Sequence, residues 1–267
     1  DIIVFCTKNP KPMLEHISEL EQFRMYWNVT ITPYGKEIEE NVPYKKDVMD
    51  SFIELSEKVG IQNVVWRYDP IFISVRYSID YHLLIFEKMA KYLQGYCNAC
   101  IISFIDLYEK VRRNFPQVKG VPMETRLRLG KEIIRIARSA GMVVRPCGEG
   151  QELSIYGADC RGCMTGEIWE KAAGSRLNIP KRKPNRETCA CFLSGDIGQY
   201  DTCMHFCRYC YANTSRENVL RNFRAHDPHS PLLSGQPEAE DQIHECEQKS
   251  WADRQMSIFD FIACKDL

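Results

Sequence analysis

Residues 63–68 (NVVWRY) form a short run of β-branched and aromatic residues, and Asp69-Pro70 ends it. Such a run, bounded by turn residues, predicts a buried β-strand. Before it, residues 44–59 carry apolar side chains three and four positions apart, which predicts an amphipathic helix. The same pair of patterns recurs along residues 1–147, so the sequence predicts a repeat of βα units.

Five strands and four helices follow from these patterns. The predicted strands are 2–7 (IIVFCT), 27–32 (WNVTIT), 63–68 (NVVWRY), 100–105 (CIISFI) and 141–146 (GMVVRP). The predicted helices are 12–23, 44–59, 78–94 and 123–140. Because crossovers between parallel strands are right-handed, the fold class is α/β with a parallel sheet, either open or part of a (βα) barrel.

Polar residues follow each predicted strand, where parallel α/β folds place their ligands. One interpretation is that they are ordinary turn residues, since Asp and Pro favour turns. The other is that they converge on one polar site at the strand-end rim. The residues concerned are Lys8, Arg67, Asp69, Asp106, Arg145 and Glu149.

Composition narrows the class of protein. The 267-residue chain has a formal net charge of −1, which provides no field to attract nucleic acid or an anionic membrane. No apolar run approaches the roughly 18 to 20 residues that a spanning helix needs. We therefore expect a cytoplasmic protein. The chain starts at Asp1 within a predicted strand, and we expect an N-terminal βα unit to precede it.

The 13 cysteines are unevenly distributed, and most of them lie between residues 147 and 210. A chain of this length without a signal peptide does not fit a disulfide framework, so metal or cluster ligation is the better interpretation. We expect three regions: a (βα) repeat core over 1–147, a cysteine-rich cluster-binding region over 148–225 that completes the barrel, and a polar tail over 226–267. Trp251 is expected to dock back on the domain.

The most specific motif is Cys203-Met204-His205-Phe206-Cys207-Arg208-Tyr209-Cys210, with the spacing C-x3-C-x2-C. Three thiolates on one loop can hold three irons of a cubane and leave the fourth iron without a protein ligand. A closed zinc site would need a fourth ligand. The odd number of cysteines therefore favours an open four-iron four-sulfur cluster.

This loop resembles the C-x3-C-x-aromatic-C signature of radical S-adenosylmethionine (SAM) enzymes, and its continuation Tyr211-Ala212-Asn213 is similar to the branch related to spore photoproduct lyase. The resemblance implies that Cys203, Cys207 and Cys210 are cluster ligands and that Tyr209 packs beside the adenine or the cluster. It implies SAM as cofactor, cleaved reductively to methionine and a 5′-deoxyadenosyl radical, and an electron donor such as flavodoxin or ferredoxin.

A longer stretch, from Asp1 to about Asn213, resembles an uncharacterised domain-of-unknown-function family, numbered eighteen forty-eight. The matching segments are 3–10 (IVFCTKNP), 189–191 (CAC) and 196–203 (DIGQYDTC). The cysteine loop of radical SAM enzymes usually follows the first barrel strand, whereas here it follows five βα units. A strand over 192–199 and a helix over 214–225 would restore the usual geometry in a circularly permuted, TIM-like barrel.

The other clustered cysteines predict a second site. An auxiliary four-iron four-sulfur cluster on Cys147, Cys163, Cys189 and Cys191 is the preferred interpretation, with Cys160 as the spare thiol. Zinc on the same ligands and buried free cysteines are the alternatives. His205 either contacts the cluster or fills space in the loop. The basic segment Lys181–Arg186 is either a solvated linker or a phosphate contact.

Two classes of function remain. The first is a radical SAM enzyme, with Glu149 in a weak Gly148-Glu149-Gly150 match to a SAM-binding strand end. In this enzyme, Arg67, Asp69, Asp106 and Arg145 bind SAM or a small-molecule substrate. The second is a non-catalytic module in which zinc or iron–sulfur sites hold the C-terminal region on an α/β domain. Nucleic acid is disfavoured as a partner, because no basic stripe with interleaved aromatic residues is present.

Overall fold

The computed structural model describes residues 1–180, 189, 191–192, 195–242, 244–245 and 249–253. Its centre is one five-stranded sheet in which all neighbours are parallel and the strand order follows the chain. The strands are β1 (Ile2–Thr7), β2 (Arg24–Thr30), β3 (Val64–Ile71), β4 (Ala99–Phe104) and β5 (Val143–Pro146). The predicted α/β class with a parallel sheet is confirmed.

The described residues include six α-helices. They are α1 (Lys45–Val59), α2 (Ile79–Tyr92), α3 (Glu109–Asn114), α4 (Met123–Ser139), α5 (Gly166–Ala173) and α6 (Arg216–Arg224). Those predicted at 44–59, 78–94, 123–140 and 214–225 are confirmed within a few residues. Short α3 and α5 went unpredicted, because six and eight residues are too few to show a clear period.

The predicted helix over 12–23 is wrong. The segment forms two 3-10 turns, Lys11–Met13 and Ile17–Leu20. Within this segment only Leu14 and Ile17 are buried, so few apolar contacts are present to hold a longer helix against the sheet.

One face of the sheet packs against α1, α2 and α4. Alternate residues of each strand point to this side, as the two-residue period of a strand requires. Trp66 of β3 stacks on Phe86 of α2 with ring centroids 4.7 Å apart, and both side chains are fully buried. This layer is the larger part of the hydrophobic core.

The opposite face is covered by the cysteine-rich region. Val65 and Ile101 point to this side and pack in one cluster with Trp169 of α5. The Trp169 ring meets Tyr26 of β2 edge to face at 5.3 Å. The sheet is therefore buried on both faces, and the second cover brings Cys163 onto it.

The C-terminal region departs from one prediction and follows two others. Residues 192 and 195–199 lie in no strand, so the predicted strand 192–199 is wrong over the part that the structure describes, and the permuted βα unit loses its strand. Ser215 caps α6 by accepting a hydrogen bond from the Asn218 N–H at 3.1 Å. Trp251 docks on the domain as predicted, with its ring 5.2 Å from Phe192.

Two segments named in the sequence predictions are not among the described residues. The basic stretch Lys181–Arg186 lies outside the described residues, as does the end of the chain from residue 254. Among the described helices, none combines the length and apolar character needed to cross a membrane.

Candidate metal centre

The loop from Cys203 to Cys210 lies against the segment that follows β2. The Arg208 N–H donates to the Ile38 carbonyl at 2.9 Å, and the Asn41 N–H donates to the His205 carbonyl at 3.0 Å. Between these two bonds, Glu39 and Cys207 form an isolated antiparallel bridge. The loop is thus paired with the protein through its backbone, which fixes the positions of its cysteines.

A second set of contacts closes the loop at its C-terminal end. The Asp201 carboxylate accepts hydrogen bonds from the N–H and the hydroxyl of Thr214. The Asn213 amide donates to the Cys203 carbonyl at 2.8 Å. Asn213 belongs to the tail of the sequence motif, and the structure gives it the role of joining the two ends of the loop.

Tyr209 turns inward from the loop. Its side chain is buried and its ring meets that of Tyr34 at 5.9 Å, in an apolar cluster that includes Phe72 and Phe115. Its phenol donates to the carboxylate of Glu39. Tyr209 therefore anchors the loop in the protein, and its predicted packing beside an adenine or a cluster stays a prediction.

Glu39 is the centre of a buried polar group that the sequence did not predict. Its side chain is 1% exposed and accepts from Lys8 at 2.9 Å, from the Thr32 hydroxyl at 2.6 Å and from Lys45. Burial alone would raise the pKa of Glu39, but Lys8 and Lys45 outweigh it and lower the pKa to about 2. The carboxylate is thus charged at neutral pH.

Glu39 lies in an irregular segment with no periodic pattern, so nothing in the sequence indicated its burial. Lys8 was expected at the strand-end rim, and the structure places it there, directed at Glu39.

The three loop cysteines differ in exposure. Cys203 is exposed, whereas Cys207 and Cys210 are half-buried. Burial raises the pKa of Cys207 to about 12, and the charge of Lys8 opposes this rise. The neighbouring thiols of Cys203 and Cys210 add to the rise in the pKa of Cys207, as nearby negative charges would. The three thiols therefore lie close enough to interact electrostatically.

A second group, which we call the four-thiol group, consists of Cys147, Cys163, Cys189 and Cys191. The Cys163 and Cys191 sulfurs are 3.1 Å apart, well beyond the roughly 2.05 Å of a disulfide bond. Cys163 also hydrogen-bonds Cys147, and Cys189 hydrogen-bonds Cys191. The structure therefore brings together the four cysteines predicted for a second site.

Hydrogen bonding within the four-thiol group lowers the pKa of some of its thiols and raises that of others. The contact with Cys163 lowers the pKa of Cys191 and of Cys147, and it raises the pKa of Cys163 itself. Cys160, predicted to be the spare thiol, has its pKa raised by burial and by Asp159 and Glu152. Its side chain also packs against the larger hydrophobic core.

The rim residues divide into separate ion pairs. Arg67 pairs with Asp69, and its guanidinium also lies 3.9 Å from the Cys147 sulfur. Arg145 lies 3.5 Å from Asp159. The structure brings Arg67 and Asp69 together beside the four-thiol group, and the convergence of all the rim residues on one site stays a prediction.

Glu149 is held by contacts within the fold. Its carboxylate accepts from the Phe104 N–H at 2.7 Å and from Arg126 at 2.8 Å, and burial raises its pKa. Asp106 accepts from the Tyr108 hydroxyl at 3.2 Å. Glu149 therefore joins β4 to α4, and its predicted role toward SAM stays a prediction.

His205 belongs to the contact between the loop and the 38–41 segment. Its ring Nδ1 lies 3.3 Å from the Asn41 carbonyl, and its own carbonyl accepts from the Asn41 N–H. Burial lowers its pKa. These contacts favour the interpretation that His205 fills space in the loop.

The loop cysteines and the four-thiol group both offer thiol sulfur, which is a ligand for iron and for zinc. Within the described residues, no group of three or more His, Cys, Asp or Glu side chains is arranged to hold a single metal ion. A four-iron core binds its thiolates through separate irons, so its ligands stand farther apart than the ligands of one ion. Three thiols on one loop match the number of protein ligands that such a core needs when one iron is left open.

The chain belongs to a family whose function is unknown. The family described as domain of unknown function (DUF1848) matches residues 1–212. The matched stretch includes the four-thiol group and all three loop cysteines, and it ends two residues after Cys210. None of the curated proteins matches the chain.

Proposed function

We propose that this member of the DUF1848 family is a radical SAM enzyme that holds a four-iron four-sulfur cluster on Cys203, Cys207 and Cys210. When bound, such a cluster supplies the electron that cleaves SAM to methionine and a 5′-deoxyadenosyl radical, which abstracts a hydrogen atom from the substrate. The electron comes from a donor such as flavodoxin or ferredoxin.

The observation that carries this proposal is the difference in burial among the motif residues of the loop. The aromatic residue of the motif, Tyr209, is buried in the protein, while Cys203 is exposed. The backbone bonds to Ile38 and Asn41 hold the intervening residues. A loop that is fixed to the protein, with Cys203 exposed and Cys207 and Cys210 half-buried, suits a cluster with one free coordination position.

The chain's own residues would prepare this site in three ways. Backbone pairing with the 38–41 segment fixes the loop, so the three sulfurs need little reordering on binding. Tyr209 and its apolar neighbours exclude water from the protein side of the loop. Lys8 places a positive charge near Cys203 and Cys207, which favours their thiolate forms.

The fold supports the proposal through its strand order. Parallel strands in the order of the chain are the arrangement of a (βα) barrel, whereas a doubly wound sheet reverses its order. A partial TIM-like barrel is therefore the architecture that we propose. SAM and a small-molecule substrate would lie over its strand-end rim, near Arg67, Asp69, Asp106 and Arg145.

An auxiliary four-iron cluster on the four-thiol group is part of the proposal. Its alternative is a zinc ion on the same residues, which the short contact between Cys163 and Cys191 supports for one pair of ligands, although the described residues form no complete single-ion site. The 3.1 Å separation of Cys163 and Cys191 is nearer to the ~3.8 Å between sulfurs around one tetrahedral zinc than to the spacing of a cubane. Zinc there would make the chain a metal-stabilised interaction module, the second candidate function.

Anaerobic purification with iron and sulfide counts, absorption and electron paramagnetic resonance spectra tests the proposal. We expect the wild-type protein to yield 5′-deoxyadenosine when it is reduced in the presence of SAM. The variant C203A/C207A/C210A should lose one cluster and this activity. Cys160→Ala is the matched control and should retain both. A colourless protein that contains only zinc after anaerobic reconstitution would contradict the enzyme and support the module.

A further inference from the structure

The buried group behind the cysteine loop contains more positive than negative charge. Glu39 forms ion pairs with both Lys8 and Lys45, and the exposed fractions of the three side chains are 1%, 15% and 23%. We call these three residues the lysine–glutamate triad. Two ammonium groups share one carboxylate, so the triad has a net positive charge.

The other side chains that contact Glu39 are neutral. Thr32 and Tyr209 each donate a hydroxyl hydrogen bond to its Oε1 atom. Within the described residues, neither Lys8 nor Lys45 has a salt bridge to another carboxylate. The excess positive charge of the triad therefore has no carboxylate partner in this part of the chain.

An uncompensated charge in a buried site is costly, because water that would solvate it is excluded. Such a charge persists where an anionic partner offsets its cost. The loop lies directly against the triad. Glu39 is paired with Cys207 through the backbone, and the Lys8 ammonium lies 5.4 Å from the centre of the ring of Tyr209, which precedes Cys210. The charge of Lys8 also opposes the rise in the pKa of Cys203 and Cys207, and Lys45 interacts electrostatically with Cys207.

We propose that the triad is the counter-charge of the iron–sulfur cluster on the loop, and that it holds the reduction potential of this cluster above the value that the three thiolates alone would give. The inference rests on the proposed function. A four-iron core with three thiolate ligands is an anion, and reduction adds further negative charge. A fixed positive group beside it stabilises the reduced form more than the oxidised form.

The proposal predicts shifts of opposite sign within one contact network. Glu39→Gln removes a negative charge and raises the midpoint potential, whereas Lys8→Met and Lys45→Met each remove a positive charge and lower it. A merely structural role would move all three variants in the same direction. We expect each shift to change the reduction equilibrium about tenfold, which is about 59 mV for one electron.

The measurement is a redox titration of the reconstituted full chain, followed by electron paramagnetic resonance. The signal to follow is the one that is lost in C203A/C207A/C210A, so that the four-thiol group does not contribute. Lys46→Met is the matched control, because Lys46 is adjacent in sequence but exposed and paired with Asp50. Its midpoint should equal that of the wild type.

Shifts of one sign in all three variants, or none in any, would overturn the inference. Should Glu39→Gln not fold, the two lysine variants decide, because both must lower the potential. A wild-type cluster that cleaves SAM while the variant potentials stay unmoved refutes this inference alone. A wild-type loop that takes up no cluster refutes the proposed function and the inference together.

Discussion

The phenol of Tyr209 donates a hydrogen bond to the carboxylate of Glu39, a residue 170 positions earlier in the chain. Both side chains are buried. The contact links the cysteine loop to the segment that follows β2, and it is stronger than a neutral hydrogen bond because the acceptor is charged. The position of the loop therefore depends on a residue far from the cysteine motif.

Replacing Tyr209 with Phe should loosen the loop without changing its cysteines. The ring still packs on Tyr34, but the charged acceptor loses one donor, which costs about 1.5 to 3 kcal/mol. Hydrogen exchange should become faster at the Arg208 and Asn41 amides, which bond across this contact. Tyr44→Phe, at a phenol that is 74% exposed, is the control. Unchanged exchange in Tyr209→Phe would show that the hydroxyl does not hold the loop.

The sheet could be predicted from the sequence because each strand is a short apolar run bounded by turn residues. Val64 to Tyr68 is such a run, and it lies in the centre of the sheet. The contact among Cys147, Cys163, Cys189 and Cys191 could be anticipated because thiols in such numbers suggest a shared ligand. These features have a signal that is local in the sequence.

Other features have no local signal. Glu39 is one acidic residue in an irregular segment, and its burial results from Lys8, Lys45 and Tyr209 meeting there from three parts of the chain. The segment 12–23 has apolar residues at helical spacing, yet only Leu14 and Ile17 are buried, and it forms 3-10 turns. Tertiary contacts decided both cases.

His82 should make the protein sensitive to acid. It is fully buried, its Nδ1 lies 2.9 Å from the Tyr68 hydroxyl, and its Nε2 lies 2.9 Å from the Phe72 carbonyl. Burial lowers its pKa from 6.5 to about 4. The neutral form therefore stabilises the fold above pH 6.5, and this contribution is lost as the pH falls toward 4. The full loss is about 3 kcal/mol.

Urea unfolding of the wild type and His82→Gln at pH 7 and pH 4.5 measures this effect. The wild type should lose more unfolding free energy between the two pH values than the variant does, because glutamine cannot gain a proton. Replacement of the exposed His16, whose pKa is raised by Glu19, should leave the wild-type loss in place. Equal losses in wild type and His82→Gln would contradict the prediction.

Removing only one partner of the Arg67–Asp69 ion pair should lower the free energy of unfolding. The side chains are 14% and 23% exposed. Asp69→Ala leaves a buried guanidinium without its carboxylate, and we expect a loss of about 3 to 5 kcal/mol in the free energy of unfolding. The double variant Arg67→Met/Asp69→Ala should lose less than Asp69→Ala alone, since no unpaired charge remains.

Chemical denaturation of these variants checks the prediction. Arg135→Ala is the control, because it breaks a surface pair with Glu132 in which Arg135 is 67% exposed, and it should cost less than about 1 kcal/mol. A double variant less stable than Asp69→Ala would mean that the Arg67 side chain stabilises the fold by packing and not by charge.

Cys163 and Cys160 lie close together in the sequence but have different neighbours. Cys163 contacts both Cys147 and Cys191, whereas Cys160, three positions earlier, lies beside Asp159 and Glu152. In the C203A/C207A/C210A background, where only the second site can bind metal, Cys163→Ala should abolish bound iron or zinc and Cys160→Ala should retain it. Elemental analysis after anaerobic reconstitution measures both. Equal metal loss in the two variants would show that Cys160 is a ligand, and retention in both would show that Cys163 is not. Each alanine removes one sulfur from the same short loop. A difference in metal content between the two variants therefore reflects ligation and not a general loosening of the segment.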